Sequence, residues 1–165
     1  MILYRFFILD KEHVRGLSSS RLNTGGLKGG HLGELSFKDC FISEEMVLGY
    51  GIRDIYESDF IAFTHIMESS RIGVGASAVG LAQAAWEHAL LEAKATKRGD
   101  KSLLSNQSIK FSLIELKNQI DAARFLVLKA AWLFDEKKPF SDAEGNLAKI
   151  YASETAQKVV LGCAE

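Results

Sequence analysis

The stretch that decides the fold runs from Arg71 to Ala85 and reads RIGVGASAVGLAQAA. It places Gly73, Gly75 and Gly80 within eight residues of what otherwise reads as one long helix. Each glycine in a helix interior costs about 1 kcal/mol relative to alanine, so the three together cost roughly 3 kcal/mol. A close approach to the backbone should offset that cost. The pattern therefore predicts either a tightly packed neighbouring helix, which is the commoner arrangement, or a flat ligand against this segment.

Helical patterns extend outward from this stretch. We predict one helix from about Arg53 to Lys97, a second from about Asn106 to Glu136 and a third from about Asp142 to Val160. Pro139, the only proline, ends the second helix, and Ser141–Glu144 matches a capping box that starts the third. Lengths of roughly 45 and 30 residues exceed those of ordinary globular helices, so they predict a mainly α fold of long antiparallel bundle helices.

The second predicted helix is apolar on more than one side. Its core stripe recurs at helical spacing and consists of Ile109, Leu113, Leu116, Ile120, Ala123 and Val127. Four further residues widen the stripe: Phe125, Leu128, Trp132 and Leu133. Three helices would leave part of this surface in water. The pattern therefore predicts a missing fourth helix, a subunit partner, or both.

The first 50 residues differ from the rest and precede the helices as a small β remnant. Ile2–Leu9 is rich in β-formers and predicts a strand, whereas Asp10–His31 is polar and glycine-rich and predicts turns. The stretch Glu34–Ile42 alternates, which predicts a strand with Leu35 and Phe37 pointing inward. One strand pair is too little sheet to be stable alone, so this part reads as the end of a larger sheet.

Composition excludes several classes of protein. Apolar residues make up 47% and charged residues 25% of the 165 residues, which predicts a packed core. A net charge of −1 gives no reason to expect nucleic acid as a partner. Two distant cysteines favour a reducing, intracellular compartment, the cytoplasm, and no apolar run reaches the ~18 residues of a membrane span. No Glu-x-x-His pair occurs, so His65 and Glu68 do not predict a metal site.

Arg71–Ala85, followed by Trp86–Ala89, resembles the helix that opens the carboxyl-terminal domain of acyl-CoA dehydrogenases. Five further segments match the family in the same order: Gly30–Ile42, Met46–Gly49, Gln107–Phe111, Ala122–Trp132 and Ala148–Glu154. The resemblance covers almost the whole chain. It implies that residues 1–50 are the end of the family's middle β domain. Residues 51–165 would then be an incomplete carboxyl-terminal helical bundle.

The resemblance also implies a reaction, the α,β-dehydrogenation of an acyl thioester. In the family a glutamate removes the α-proton while the β-hydrogen leaves as hydride to FAD. Many members hold this glutamate in a loop after the third bundle helix, and the chain ends first, at Glu165. Others place it directly before the arginine that matches Arg71, where this chain has Ser70. Glu68 lies about 200° away around the helix. We therefore assign no catalytic residue and expect the chain to be inactive alone.

The flavin contacts implied by the resemblance are few. The family has Arg-x-x-Phe-Gly between its first two bundle helices, and that arginine contacts the flavin pyrophosphate across a subunit interface. Here the matching run is Thr96–Asp100. Thr96 stands at the position of the family's arginine, and the Phe-Gly pair is absent. Gln107 and Arg98 are carried over as cofactor-binding residues. Arg71 and Glu68 are carried over as substrate-proximal residues, with a simple helix salt bridge between them as the alternative.

The resemblance thus implies part of a flavoprotein oxidoreductase of fatty acid metabolism, present as a fragment. Its substrate would be an acyl-CoA or an acyl group on a carrier protein, as in a biosynthetic acyl-carrier-protein dehydrogenase. A homo-oligomer through the helical bundle is implied as well, and the electron-transfer partner is left open. The alternative is a non-enzymatic helical interaction or oligomerisation module that keeps this fold without its site.

Overall fold

A computed structural model describes residues 6–10, 12–48, 55–138 and 141–164, without the side chains of residues 55–62, 65, 141 and 142. These residues form two compact units, one that reaches Ala62 and one that starts at Phe63. Residues 2–5 of the strand predicted over Ile2–Leu9 lie outside the described residues. Residues 6–9 of that predicted strand are described, and they contain a single antiparallel bridge, between Phe7 and Val47.

The first unit contains an antiparallel hairpin of β1 (Leu17–Arg21) and β2 (Gly33–Phe37). Leu17 pairs with Phe37 and Arg21 with Gly33. The prediction of turns throughout Asp10–His31 was therefore wrong, because the serine-rich β1 lacks apolar alternation and forms by pairing with β2. The inward placement of Leu35 and Phe37 was wrong too, since their exposed fractions are 61% and 54%.

Gly16 shapes the entry to this hairpin. Its φ is +81°, and a Cβ atom at this position would lie 2.0 Å from the carbonyl oxygen of Lys38. The Lys38 amide in turn donates a 3.0 Å hydrogen bond to the Gly16 carbonyl. Only glycine satisfies both the left-handed backbone and the close approach at this position.

Three helices follow, α1 (Ile55–Ala95), α2 (Gln107–Asp135) and α3 (Ser141–Ala164), and the second unit contains α1 from Phe63 onward together with α2 and α3. The three predicted helices are confirmed, with every end within four residues of its predicted position. No helix of the described residues is both long and apolar enough to cross a membrane. The predicted capping box starts at Ser141, whose side chain is not among the described ones. Its other member, Glu144, accepts a 2.8 Å hydrogen bond at Oε1 from Lys129 Nζ.

A short connection that the sequence did not predict links α1 to α2. Strands β3 (Lys97–Arg98) and β4 (Lys101–Ser102) form a hairpin, with Gly99 at a φ of +66° in its turn. A 3₁₀ turn over Leu103–Ser105 follows. Asn106 then caps α2, because its side-chain oxygen accepts a 2.9 Å hydrogen bond from the Ser108 amide.

Small side chains dominate the core between the helices. The buried cluster consists of Val79, Ala82, Leu116, Ile120, Ala123, Val127, Ala130, Ala148, Ala152, Ala156 and Val159. All but one residue of the predicted α2 stripe are buried, and Ile109 is half-buried. Six of the eleven cluster residues are alanines, which lets the helices approach one another closely.

The glycines of α1 divide by environment. Gly75 is buried, and a Cβ atom there would lie 3.1 Å from Val127 Cγ2 and 3.6 Å from the Lys149 Cα atom. Gly73 and Gly80 are exposed, and a Cβ atom on either would meet nothing within 4 Å. Of the two predicted explanations, tight helix packing therefore holds at Gly75. The other two glycines lie on the outer face of this helical unit.

The surplus apolar surface predicted for α2 is confirmed. Its exposed apolar residues, with their exposed fractions, are Phe111 (61%), Ile114 (55%), Phe125 (71%), Leu128 (56%) and Trp132 (57%). Positions 111, 114, 125, 128 and 132 recur at helical spacing on the side of α2 away from Ile120. An apolar stripe of this extent on a helix is typical of an interaction surface.

Candidate functional site

Two of the predicted site residues, Arg98 and Gln107, lie on the connection between α1 and α2 and directly after it. Arg98 is in β3, opposite Lys101 in β4, and both side chains are exposed. Lys94 and Lys97 are exposed beside them, and none of these four cations forms an ion pair with another described residue. The hairpin therefore presents its positive charge to solvent.

Gln107 is the first residue of α2, and its side chain is exposed. It stands directly after the cap Asn106, where the unpaired amides of a helix N-terminus carry a partial positive charge. The connection is held in place by two backbone bonds, from the Thr96 amide to the Glu92 carbonyl (2.8 Å) and from the Leu103 amide to the Thr96 carbonyl (2.9 Å). Arg98 and Gln107 thus share one electropositive end of the helical unit.

The other two predicted site residues, Glu68 and Arg71, lie in α1 and are half-buried. This part of α1 packs against the start of α3, since a Cβ atom on Gly145 would lie 3.5 Å from Ile72 Cγ1 and 3.7 Å from the Glu68 carbonyl oxygen. The helix salt bridge between Glu68 and Arg71, the alternative to a site role, is not formed in the described part of the chain.

Ser70 sits between them in sequence but points to solvent. Its hydroxyl donates a 2.9 Å hydrogen bond to the Met67 carbonyl, so the side chain is bonded to its own helix. A hydroxyl donor of this kind does not remove a proton from carbon at neutral pH. The described part of this segment therefore offers a carboxylate only at Glu68, on a different side of α1 from Ser70.

The structure does not bring the two pairs of residues together. Arg71 and Ala95 are 24 residues apart in one helix, which is about 36 Å at 1.5 Å per residue. Arg98 and Gln107 follow Ala95 at the end of α1, while Glu68 and Arg71 lie in its first half. A single small ligand cannot touch both pairs of residues at once.

Sequence reasoning missed a polar network between α1 and α2. The Trp86 indole Nε1–H donates a 2.7 Å hydrogen bond to the Leu113 carbonyl, and Lys117 Nζ lies 5.8 Å from the ring centroid. Arg124 donates a 3.2 Å hydrogen bond to Gln83 Oε1. Arg124 also lies near Asp121, which pairs with Lys117. No local pattern signals the Trp86–Leu113 and Arg124–Gln83 bonds, because their partners stand on different helices, whereas Asp121 meets Lys117 and Arg124 within α2 at i,i+4 and i,i+3 spacing.

An open groove of about 660 Å³ lies between α1, α2 and the end of α3. Its lining is largely apolar and includes Ala85, Ala89, Ile109, Leu113 and Cys163. Burial raises the pKa of the Cys163 thiol above its ordinary value. Among the described residues, no group of His, Cys, Asp and Glu side chains is placed to hold a metal ion.

The raised pKa of Cys163 predicts slow alkylation. Because the thiolate is the nucleophile and is less populated when the pKa is raised, iodoacetamide at pH 8 should modify Cys163 several-fold more slowly in the folded chain than in urea. The difference should narrow as the pH rises and the thiol ionises. Mass spectrometry of digested samples measures both rates. Equal rates in folded and unfolded chain across this pH range would contradict the assignment.

Comparison with known proteins identifies the helices. A family model described as "Acyl-CoA dehydrogenase, C-terminal domain" matches residues 60–165. The probable acyl-CoA dehydrogenase YngJ of Bacillus subtilis is 36% identical over 133 residues, which are 81% of this chain and 33% of that protein. The short-chain-specific acyl-CoA dehydrogenase of Megasphaera elsdenii is 38% identical over 126 residues, which are 76% of this chain and 31% of that protein.

The solved structures agree with the family model. Butyryl-CoA dehydrogenase from Megasphaera elsdenii superposes with a TM-score of 0.78 at 33% identity, covering 95% of this chain and 39% of that one. The chain thus spans about a third of the length of the curated relatives that it matches. The resemblance in residue order and the three-helix architecture agree with these matches. The chain belongs to the acyl-CoA dehydrogenase family, and its helices are those of the family's carboxyl-terminal domain.

Proposed function

We propose that this chain supplies the first carboxyl-terminal bundle helices of a flavin-dependent acyl-thioester dehydrogenase that catalyses α,β-dehydrogenation. The separation of about 36 Å along α1 carries this proposal. In the family the connection between the first two bundle helices contacts the flavin across a subunit interface. Residues of this connection and the substrate-proximal residues near Arg71 would then serve two different sites, which supports a homo-oligomeric enzyme.

The connection has the chemistry that a flavin diphosphate requires. Arg98 and Lys101 are exposed cations without an ion-pair partner in the described part of the chain, and Gln107 opens α2 at the positive end of the helix dipole. Cations and helix N-termini are the groups that bind phosphate oxygens in proteins. FAD, when bound, would supply the hydride acceptor. In this proposal Arg98 holds the pyrophosphate and Gln107 lies nearer the flavin ring.

The proton-abstraction step is the part that this chain does not supply. Ser70 stands at the alternative base position, and its hydroxyl is bonded to the Met67 carbonyl. Glu68 is half-buried and lies roughly 200° around α1 from that position. We therefore expect the chain alone to leave acyl thioesters unchanged. Whether the acyl group is carried by coenzyme A or by a carrier protein, and which protein accepts the electrons, depends on surfaces outside these helices.

The exposed apolar stripe of α2 supports assembly. Its five large side chains, Phe111, Ile114, Phe125, Leu128 and Trp132, are each more than half exposed. Surfaces of this kind are covered in assembled proteins. We expect further bundle helices and a second copy of the bundle to cover the stripe.

A non-enzymatic interaction module is the second candidate. Two observations favour it. Thr96 stands where the family has its arginine and the Phe-Gly pair is absent, and Ser70 stands at the alternative position of the catalytic glutamate. Loss of both features is what a helical domain kept only for assembly would show.

A graft separates the two candidates. Residues Phe63–Ala164 replace the matching segment of the Megasphaera elsdenii short-chain acyl-CoA dehydrogenase, and the purified graft is passed through gel filtration with FAD. We expect a folded oligomer of the host's size that retains about one FAD per subunit. A folded oligomer of the same size that stays colourless would reject the dehydrogenase and favour the interaction module.

Restoring the family's arginine should tighten flavin binding in the graft. A charge-assisted bond to phosphate contributes about 1.5–3 kcal/mol, so Thr96→Arg should lower the FAD dissociation constant at least about tenfold. Ala95→Arg is the matched control, because it adds the same charge one residue away at the exposed end of α1. Fluorescence titration measures both constants. An equal gain from both variants would show that only net charge matters and would remove the site-specific role of this loop.

A further inference from the structure

We propose that Trp86 is a positioning residue that fixes the register of α2 against α1, and with it the placement of Gln107 and Arg98. The expected effect of Trp86 on flavin binding rests on the proposed function, whereas its expected effect on the position of the connection rests on packing alone. The observation that carries it is the 2.7 Å hydrogen bond from the Trp86 indole to the Leu113 carbonyl, between residues 27 apart in sequence.

Alanines make up much of the core between the helices. Six of its eleven buried residues are alanines, namely Ala82, Ala123, Ala130, Ala148, Ala152 and Ala156. Methyl groups make low ridges, and low ridges resist sliding less than large interlocking side chains do. A core of this kind holds the helices close together, and the Arg124–Gln83 and Trp86–Leu113 hydrogen bonds add polar ties between α1 and α2 that slide only if they break.

Of these two ties, the indole bond is the one that fixes the register nearest the connection. A carbonyl in a helix interior accepts the amide four residues on and has a second lone pair for one more donor. The next carbonyl on the same face of α2 is three or four residues away, which is about 5 Å along the axis. Trp86 therefore cannot keep its bond if α2 slides. Lys117, one turn after Leu113, adds a cation–π contact at 5.8 Å from the ring centroid.

The bond lies close to the connection that it positions. Gln107 precedes Leu113 by six residues, which is about 9 Å along α2. Beyond Trp86, α1 lines the groove of about 660 Å³, which α2 also lines, with Ala89 and Ala93 and with the polar residues His88 and Glu92. From Glu87 to Ala95 the described residues make no other side-chain hydrogen bond to α2. Trp86 is thus the last polar tie between the two helices before the β3–β4 hairpin.

The test removes the indole N–H and keeps an aromatic ring. In the 165-residue chain, Trp86→Phe should raise amide hydrogen exchange in peptides covering residues 97–112 about fivefold, the effect of one lost hydrogen bond, and leave α3 unchanged. Val79→Ala is the control, because it empties part of the same α1 core without touching the indole bond. It should raise exchange in all three helices together. Unchanged exchange over residues 97–112 in Trp86→Phe would overturn the positioning role.

The flavin readout uses the graft. Trp86→Phe should raise the FAD dissociation constant about fivefold, whereas Val79→Ala should leave it within twofold even though the protein is less stable. Faster exchange with an unchanged dissociation constant would overturn the link from Trp86 to the site. Faster exchange in a graft that binds no FAD, with or without the substitution, would uphold the register role and reject the proposed function instead.

Discussion

Replacing Gly75 with valine is expected to lower the free energy of unfolding of the helical unit by about 2–3 kcal/mol. A Cβ atom there would lie 3.1 Å from Val127 Cγ2, and the backbone Cα atom of Lys149 is 3.6 Å away. The two γ carbons of valine extend beyond that Cβ atom into the same space. Overpacking of a close-packed core costs typically 1–3 kcal/mol, and backbone atoms cannot swing aside as a flexible side chain can. Urea unfolding followed by far-UV circular dichroism measures the change.

The same substitution on the outer face of α1 is the control. A Cβ atom on Gly73 or Gly80 would meet nothing within 4 Å, so Gly80→Val should cause no loss. Gly80→Ala should raise the free energy of unfolding by about 0.5–1 kcal/mol, because alanine has the higher helix propensity. If Gly80→Val were as damaging as Gly75→Val, the outer face of α1 would have to be packed, and the assignment of Gly75 as the contact glycine would fail.

Placing a carboxylate at position 70 should give the helices the base that they lack. In the graft, with the host's own catalytic glutamate replaced by glutamine, Ser70→Glu should raise the rate of dehydrogenation about a hundredfold or more. General-base catalysis contributes typically 10²–10⁴-fold, and family members that carry the base in this helix hold it directly before the residue matching Arg71. Steady-state turnover of butyryl-CoA with an artificial electron acceptor gives the rate.

Two neighbouring positions test whether location matters. Ser69→Glu adds the same acid about 100° away around α1, also at an exposed serine, and should give no rise. Glu68→Gln should leave the rate of the Ser70→Glu graft nearly unchanged, because Glu68 lies roughly 200° from position 70. A rise with Ser69→Glu equal to that with Ser70→Glu would mean that added negative charge, and no positioned base, is responsible.

Helix positions were predictable because their signals are local. From the periodic apolar residues and the single proline, each end of the three helices was predicted to within four residues of its observed position. The hairpin of β1 and β2 was only half predictable. Strand β1 reads Leu-Ser-Ser-Ser-Arg, carries no alternation and exists through its partner strand. Leu35 and Phe37 alternate as an inward face would, yet both are exposed. Periodicity shows that two side chains share a face but does not show what covers that face.

The site divides in the same way. Arg98 and Gln107 could be named because the family keeps a fixed number of residues between its segments. The distance of about 36 Å from Arg71 to Ala95, where the connection with Arg98 begins, follows once α1 is one unbroken helix. The bond between Trp86 and Leu113 could not be predicted, because it depends on the axial register of two helices. Sequence periodicity specifies which side of a helix is buried and leaves that register open.

Anaerobic addition of butyryl-CoA to the FAD-loaded graft shows whether these helices form part of a functional acyl-CoA dehydrogenase. If these helices support dehydrogenation as an acyl-CoA dehydrogenase bundle does, the flavin of the graft should be reduced and lose its visible absorbance within the mixing time of a manual experiment. The 165-residue chain mixed with FAD and butyryl-CoA should keep the spectrum of oxidised flavin, because Ser70 is no base. A yellow graft that butyryl-CoA does not bleach, or bleaching by the chain alone, would contradict the account.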